Sequence, residues 1–325
     1  MEENNAVKIH SQRASAILFN ILLQNGSLSK YYFIPANVCP IVITTFLKAG
    51  KKFEFIDIDK DTLCICKETL LKRIKESPDK YDGLLFVRTY GTDKRYENLF
   101  DEIKKMSSGI LIIDDFCLAQ PLLNPVTTLA DVQLFSTGYS KYVNLNYGGY
   151  AYIDKKIKYT NTSIPFSSTG HEKLLQQFKH AIDTNTLFEY SDSDWLDTNA
   201  LEVPFSAYIQ TLETEMKITD VRRKELNDFY FSHINPEAQL DKSFQTWRFH
   251  VKVHEKEILM KTISLNNLYV SSQYPSAGKM FTNETYINTE NLFNSTIALF
   301  NDNRFDLKKA EKMAPLINDH VKKYS

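Results

Sequence analysis

Residues 131–150 read DVQLFSTGYSKYVNLNYGGY. Val132 to Phe135 predict a short buried strand. A polar turn holding Ser136 and Lys141 follows, and Gly148-Gly149 leads into a second strand. A lone lysine set among small and hydroxylated residues between two strands is one way to present an amine to an aldehyde-bearing cofactor, and Lys141 is read here as a Schiff-base lysine. A lysine in a polar turn is, taken alone, more often structural. What favours the chemical reading is a second stretch upstream, residues 109–120, GILIIDDFCLAQ, in which a buried strand runs directly into two carboxylates.

The whole chain is long enough to bury a large core, and one large and one smaller domain are expected, 1–220 and 221–325. Hydrophobic residues make up 43% and charged residues 24% of the 325 positions, as in ordinary globular proteins. A formal net charge of −1 gives no global field for nucleic acid or an anionic membrane. No apolar run reaches the roughly 20 residues of a membrane span, and the polar start MEENNAVKIH lacks a signal peptide's apolar segment. The four cysteines, Cys39, Cys64, Cys66 and Cys117, form neither a disulfide framework nor a metal-ligand spacing. A cytoplasmic protein without a metal site is expected.

Outward from the lysine turn, the N-terminal half alternates strands and helices. His10–Gln24 predicts a helix with an apolar stripe of Ile17, Leu18, Ile21 and Leu22. Ser11, Gln12, Arg13 and Ser15 stand at its start. Free N–H groups and the positive dipole end attract a phosphate there, and Arg13 adds a full charge. Simple capping by Ser11 explains the same residues without a ligand. Strands are expected at Tyr31–Ile34, Lys52–Ile58, Gly83–Tyr90 and Ile110–Asp114, with helices at Ile41–Ala49, Asp61–Ser77 and Arg95–Met106. The alternation predicts an α/β domain with a mostly parallel sheet, whose ligands sit at the carboxyl ends of the strands. Residues 35–39, 89–91, 114–115 and 136–141 would gather on that edge. For Asp114-Asp115 a turn or helix cap is an equal alternative.

Residues 158–197 are polar, with a helix at Glu172–Thr184, and suit a lid or a dimer arm. Pro204–Phe231 predicts a long helix with Arg222 and Arg223 on its polar face. Beyond it a small α+β domain is expected: a strand at Phe249–Val253, a helix at His254–Leu265, an extended run at 269–274, and helices at Thr289–Leu299 and Leu307–Lys323.

Taken in order, these stretches resemble the pyridoxal-phosphate (PLP) sugar aminotransferases of the DegT/StrS type. SQRASA (11–16) stands in the place of that family's S-G-T-A-A phosphate loop, and 33–59 follows its pattern of a strand, a helix and a D-i-d. FVRTYG (86–91) resembles v-H-l-y-G, IIDDFCLA (112–119) resembles i-E-D-a-a-Q-a, and FSTGYSK (135–141) resembles f-S-f-x-x-x-K. NYGGY (146–150), Asn199 with Ala207, RRKELNDFY (222–230) and YVSSQYPS (269–276) fit later segments. The match rests on joint order and spacing along nearly the whole chain, each piece alone being weak. It implies a fold type I PLP-transferase, with a mostly parallel seven-stranded-type sheet and a smaller C-terminal α+β domain. Lys141 would bind PLP covalently and shuttle a proton. Asp115 would pair with the protonated ring nitrogen, and Ser136 with Gln12–Arg13 would hold the phosphate. Asn199 would reach a phosphate across a homodimer interface. The implied reaction moves an amino group from an amino acid, glutamate being expected, to a keto-sugar nucleotide for deoxyamino-sugar or surface-polysaccharide biosynthesis.

The departures lie around the cofactor and substrate. Gln12-Arg13 replace Gly-Thr, though an arginine can bind phosphate in a bidentate manner. Cys39 stands where many members place an aromatic ring, and Leu118 where a His or Gln supports the cofactor. Leu201 replaces an arginine and Tyr147 a glutamate. The several dozen residues that usually precede the phosphate loop do not precede it here. Lys141 itself argues against the dehydratase branch, in which a histidine replaces it. A binding or scaffold protein that has lost catalysis, and a PLP enzyme with a non-sugar substrate, are the alternatives.

Overall fold

The structure, a computed structural model, describes residues 6–272 and 275–324. The first elements are β1 (Val7–Ser11), α1 (Ala14–Gln24), β2 (Tyr31–Pro35), α2 (Pro40–Lys48), β3 (Lys52–Ile56) and α3 (Lys67–Glu76). Then come β4 (Tyr81–Val87), α4 (Glu97–Met106), β5 (Leu111–Asp115), β6 (Val132–Ser136) and β7 (Gly149–Ile153). They build one seven-stranded sheet in the order β1-β7-β6-β5-β4-β2-β3. Only β7 runs against its neighbours. The expected mostly parallel α/β sheet is therefore observed.

Strand side chains alternate between faces, so neighbours along a strand enter different cores. Leu85, Ile113 and Leu134 pack with Ile17, Leu18, Ile21 and Phe46 from α1 and α2. Leu84, Phe86 and Ile112 pack with Leu70, Ile74, Phe100 and Ile103 from α3 and α4. Strands buried on both faces read as continuous apolar runs, which is what LIIDD and GLLFV are.

After the sheet come α5 (Ser168–Thr184) and the 29-residue α6 (Phe205–His233). The remainder is β8 (Phe249–Lys252), α7 (Lys256–Leu265), α8 (Ala277–Thr282), α9 (Ile287–Ser295), β9 (Thr296–Leu299) and α10 (Leu307–Tyr324). β8 and β9 pair antiparallel. Helix α6 serves two cores. Tyr208 and Leu212 pack with Phe135, Tyr142 and Tyr150 beside the large sheet. Leu226 and Tyr230 pack with β8, β9, α7 and α10.

The chain departs from the sequence expectations in four places. The helix expected from His10 begins at Ala14, because Val7–Ser11 is a strand paired to β7. The helix expected from Asp61 begins at Lys67. The Asp59 carboxylate instead accepts the N–H groups of Asp61 and Thr62, at 3.0 and 2.7 Å, and closes a turn. The helix expected over Thr289–Leu299 stops at Ser295, and the fully buried residues 296–299 pair as β9; apolar periodicity cannot separate a short buried strand from a buried helix end. Arg223, placed on the polar face of α6, is 3% exposed. The extended run expected at 269–274 lies partly outside the described residues, and Ser271 bridges to Ala298.

Candidate active site

The carboxyl ends of β1, β5 and β6 meet on one edge of the large sheet. Ser11 and Ser136 both pair with Gly149, so the three form one row across β1, β7 and β6. Asp115 ends β5 beside Leu134 of β6 and Val87 of β4.

Helix α1 starts on this row. Gln12 accepts the Gly148 N–H at 2.8 Å through its carbonyl, and Arg13 bridges to Gly148. Arg13 is the N-cap residue and its side chain caps nothing, so the positive end of α1 carries no side-chain cap. Ser11 is not the cap: it is a strand residue whose hydroxyl donates to the Asn199 carbonyl at 3.3 Å. The glycine pair permits this close approach. Gly148 has φ +90°, and a Cβ on Gly149 would lie 2.3 Å from the Ala14 nitrogen. Burial, followed by Arg13, lowers the pKa of His171, so the Arg13 charge reaches the first turns of α5.

Adjacent aspartates at the end of β5 have separate fates. Asp114 is buried and receives a fork from Arg88, with Nε to Oδ1 and Nη2 to Oδ2 both at 2.8 Å. The Arg88 guanidinium also lies 4.0 Å from the Phe116 ring centre. Asp115 takes the Cys117 N–H on Oδ1 at 2.8 Å. The turn role anticipated for an Asp after a strand thus falls to one oxygen of Asp115.

Lys141 is half-buried in the turn after β6. Thr137 anchors that turn: its hydroxyl lies 2.7 Å from the Tyr147 carbonyl and 2.6 Å from the Tyr208 hydroxyl. Burial pushes the Cys117 thiol well above its ordinary pKa. Asp115 and Cys39 push in the same direction and Lys141 pulls back. Lys141, Asp115 and Cys39 therefore each lie within electrostatic reach of the Cys117 thiol. Cys39, half-buried, is the N-cap residue of α2 just beyond β2. Leu118 is half-buried in the turn after β5, and its carbonyl packs so closely on Gly91 that a Cβ there would come within 2.3 Å.

Seven sequence-named residues, Gln12, Arg13, Cys39, Asp115, Leu118, Ser136 and Lys141, thus follow strand ends on one edge. Asn199 comes from the segment before α6. Its backbone reaches Ser11, and the residue is exposed. Sequence reasoning passed over Cys117, Thr137 and Tyr208, and it misplaced Arg223. A buried polar residue on a long mixed helix carries no periodic signal that would have marked it. Among the described residues no group of His, Cys, Asp and Glu forms a metal cluster, and no helix is long and apolar enough to cross a membrane.

No protein-family model and no curated protein matches the sequence. Solved structures do match in fold. A DegT DnrJ EryC1 StrS aminotransferase from Brucella abortus is 14% identical over 97% of this chain and 86% of its own, with a TM-score of 0.68. NtdA from Bacillus subtilis, with bound PMP, is 15% identical over 97% and 73%, at 0.69. Helicobacter pylori PseC, an aminotransferase involved in pseudoaminic acid biosynthesis, is 14% identical over 98% and 87%, at 0.69. The chain shares the fold of these structures along nearly its whole length.

Proposed function

We propose that this protein is a PLP-dependent aminotransferase that moves an amino group from an amino acid, glutamate being the expected donor, to a keto-sugar nucleotide. The observation that carries the reading is the meeting of the Lys141 amine, the Asp115 carboxylate and the uncapped, arginine-bearing start of α1 on one sheet edge. That donor set fits PLP: an amine for its aldehyde, a carboxylate for its ring nitrogen, and a hydroxyl, a guanidinium and backbone N–H groups for its phosphate. When bound, PLP supplies the aldehyde that takes up the substrate amine and a ring that withdraws electrons from the adjacent carbon.

The residues divide the work by position. Lys141 would hold the cofactor through its amine and would carry a proton at Nζ. Asp115 keeps the ring nitrogen protonated. Ser136, Gln12 and Arg13 hold the phosphate, while Cys39 and Leu118 cover the ring with apolar surface. Asn199, exposed beside Ser11, is offered to the phosphate of a second subunit in a homodimer. Residues 1–220 act as the cofactor-binding unit and 221–325 as the smaller one, in a cytoplasmic enzyme of deoxyamino-sugar or polysaccharide synthesis.

The test is chemical. Protein incubated with PLP and reduced with borohydride should carry a cofactor-sized mass on the Lys141 peptide and none in Lys141→Ala. Labelling elsewhere in both proteins sinks the assignment. Half-buried Leu201, packed among the aromatics near Tyr208 where the resemblance expects an arginine, favours a second reading as a sugar-nucleotide-binding or scaffold protein. Glutamate-driven conversion of bound PLP to PMP, followed by absorbance, rules that out.

A further inference from the structure

The turn that carries Lys141 is held from outside the large sheet. Ser140 has φ +62°, a left-handed conformation that costs a non-glycine residue on the order of 1–3 kcal/mol unless its surroundings enforce it. Three consecutive carbonyls are gripped there. The Trp247 indole N–H donates to the Ser140 carbonyl at 2.7 Å. Arg223 Nη2 donates to the Tyr142 carbonyl at 2.7 Å and to that of Lys141 at 3.4 Å. Arg248 Nη2 donates to the Ser140 hydroxyl at 2.9 Å.

Arg223 is an unusual anchor. It lies on α6 and is buried; among the described residues no carboxylate lies within ion-pair distance of it, and Asp302, which Arg248 and Arg304 hold, acts on it only from farther off. Its other Nη donates to the Trp247 carbonyl and to Asn301 Oδ1, and its plane stands 4.5 Å from the Tyr142 ring centre. A buried guanidinium bound to carbonyls rather than to a carboxylate is costly, and its planar donors fix those carbonyls in a definite geometry. Burial lowers its pKa to about 10, which leaves it charged at neutral pH. One turn earlier on the same helix, Asp220 accepts the Tyr142 hydroxyl at 2.6 Å and the Gln120 amide at 3.0 Å. Helix α6 thus holds both the lysine turn and the segment after Asp115.

We propose that Arg223 is a positioning residue for Lys141: by fixing the Lys141 and Tyr142 carbonyls, with Trp247 fixing that of Ser140, it sets where the lysine amine stands relative to Asp115. The proposal rests on Lys141 being the cofactor-binding lysine, as argued above.

The test compares wild type, Arg223→Lys, Arg223→Gln and Trp247→Phe, each incubated with PLP. Borohydride trapping on the Lys141 peptide is timed, the visible absorbance of the bound cofactor is followed against pH, and thermal unfolding of the cofactor-free protein is recorded. Expected are trapping slowed roughly 10- to 100-fold in both Arg223 variants, a displaced pH midpoint, and no rescue by lysine, which lacks the planar fork. Trp247→Phe should show the same displacement to a smaller degree. If Arg223→Gln does not fold, Arg223→Lys and Trp247→Phe decide. A folded variant set with wild-type trapping and an unmoved midpoint overturns the proposal. Absence of trapping in the wild type overturns instead the assignment of Lys141.

Discussion

Asp114 and Asp115 are adjacent and chemically alike, yet strand geometry sends them to opposite faces of the sheet. One meets the Arg88 guanidinium, and the other comes within reach of the Cys117 thiol, on which Lys141 also acts. Their substitutions should therefore separate cleanly. Asp114→Asn leaves a buried guanidinium without its counter-charge and should cost about 3–5 kcal/mol in urea unfolding. Asp115→Asn keeps an oxygen for the Cys117 N–H and should unfold within about 1 kcal/mol of wild type. Its glutamate half-reaction should fall on the order of 100-fold, because the charge proposed to face the ring nitrogen is gone. Equal stability losses in the two variants would show that both carboxylates are structural.

At the scale of elements, the site is a junction of three strand ends with the start of one helix. The junction closes only because Gly148 and Gly149 lead into β7. A methyl group on Gly149 would meet the Ala14 backbone at 2.3 Å and push α1 away from the sheet. Gly149→Ala is expected to lose about 1–3 kcal/mol of stability, and to lose PLP affinity more than its stability alone explains, since the displaced helix start is the proposed phosphate site. Equilibrium titration with PLP, set beside denaturant melts, measures both. Unchanged affinity in a folded Gly149→Ala protein would separate α1 from cofactor binding. The same contact explains why the first strand escaped sequence reading: VKIHS is short and half-exposed, and only its pairing with β7 makes it a strand.

For the molecule as a whole, a buried histidine at the junction of the two sheets links stability to pH. His250 of β8 stacks on Tyr90, which follows β4, with ring centres 3.8 Å apart. Its Nδ1 lies 2.7 Å from the Phe244 carbonyl. Burial lowers its pKa to about 3. The folded state therefore binds fewer protons than the unfolded chain, whose histidine titrates near 6.5. The stabilisation is complete above that value and is lost as pH falls from about 6.5 toward 3. Between about pH 7 and pH 5 this one group should remove about 2 kcal/mol. Urea unfolding at the two pH values should show the loss, and His250→Asn, though less stable overall, should show a shallower slope. An unchanged slope would place the pH dependence elsewhere.

The sequence by itself determined the parallel core of the large sheet. Buried parallel strands must be apolar on both faces, so GLLFV, LIIDD and VQLFS announce their type, with ends that differ from the expected ones by one to three residues. The location of Asp115, Ser136 and Lys141 at strand ends was legible for the same reason. It also overreached: a short apolar segment such as residues 296–299 suits helix or strand equally until a partner strand is known. Only the tertiary structure decided which of two neighbouring aspartates is taken up by Arg88, that Ser11 is a strand residue rather than a cap, and that Arg223 reaches across from α6 to the lysine turn. Those outcomes depend on contacts between residues up to about two hundred positions apart, such as Ser11 with Asn199. Local periodicity carries no record of such pairings, because a buried polar group takes its meaning from the partner that satisfies it.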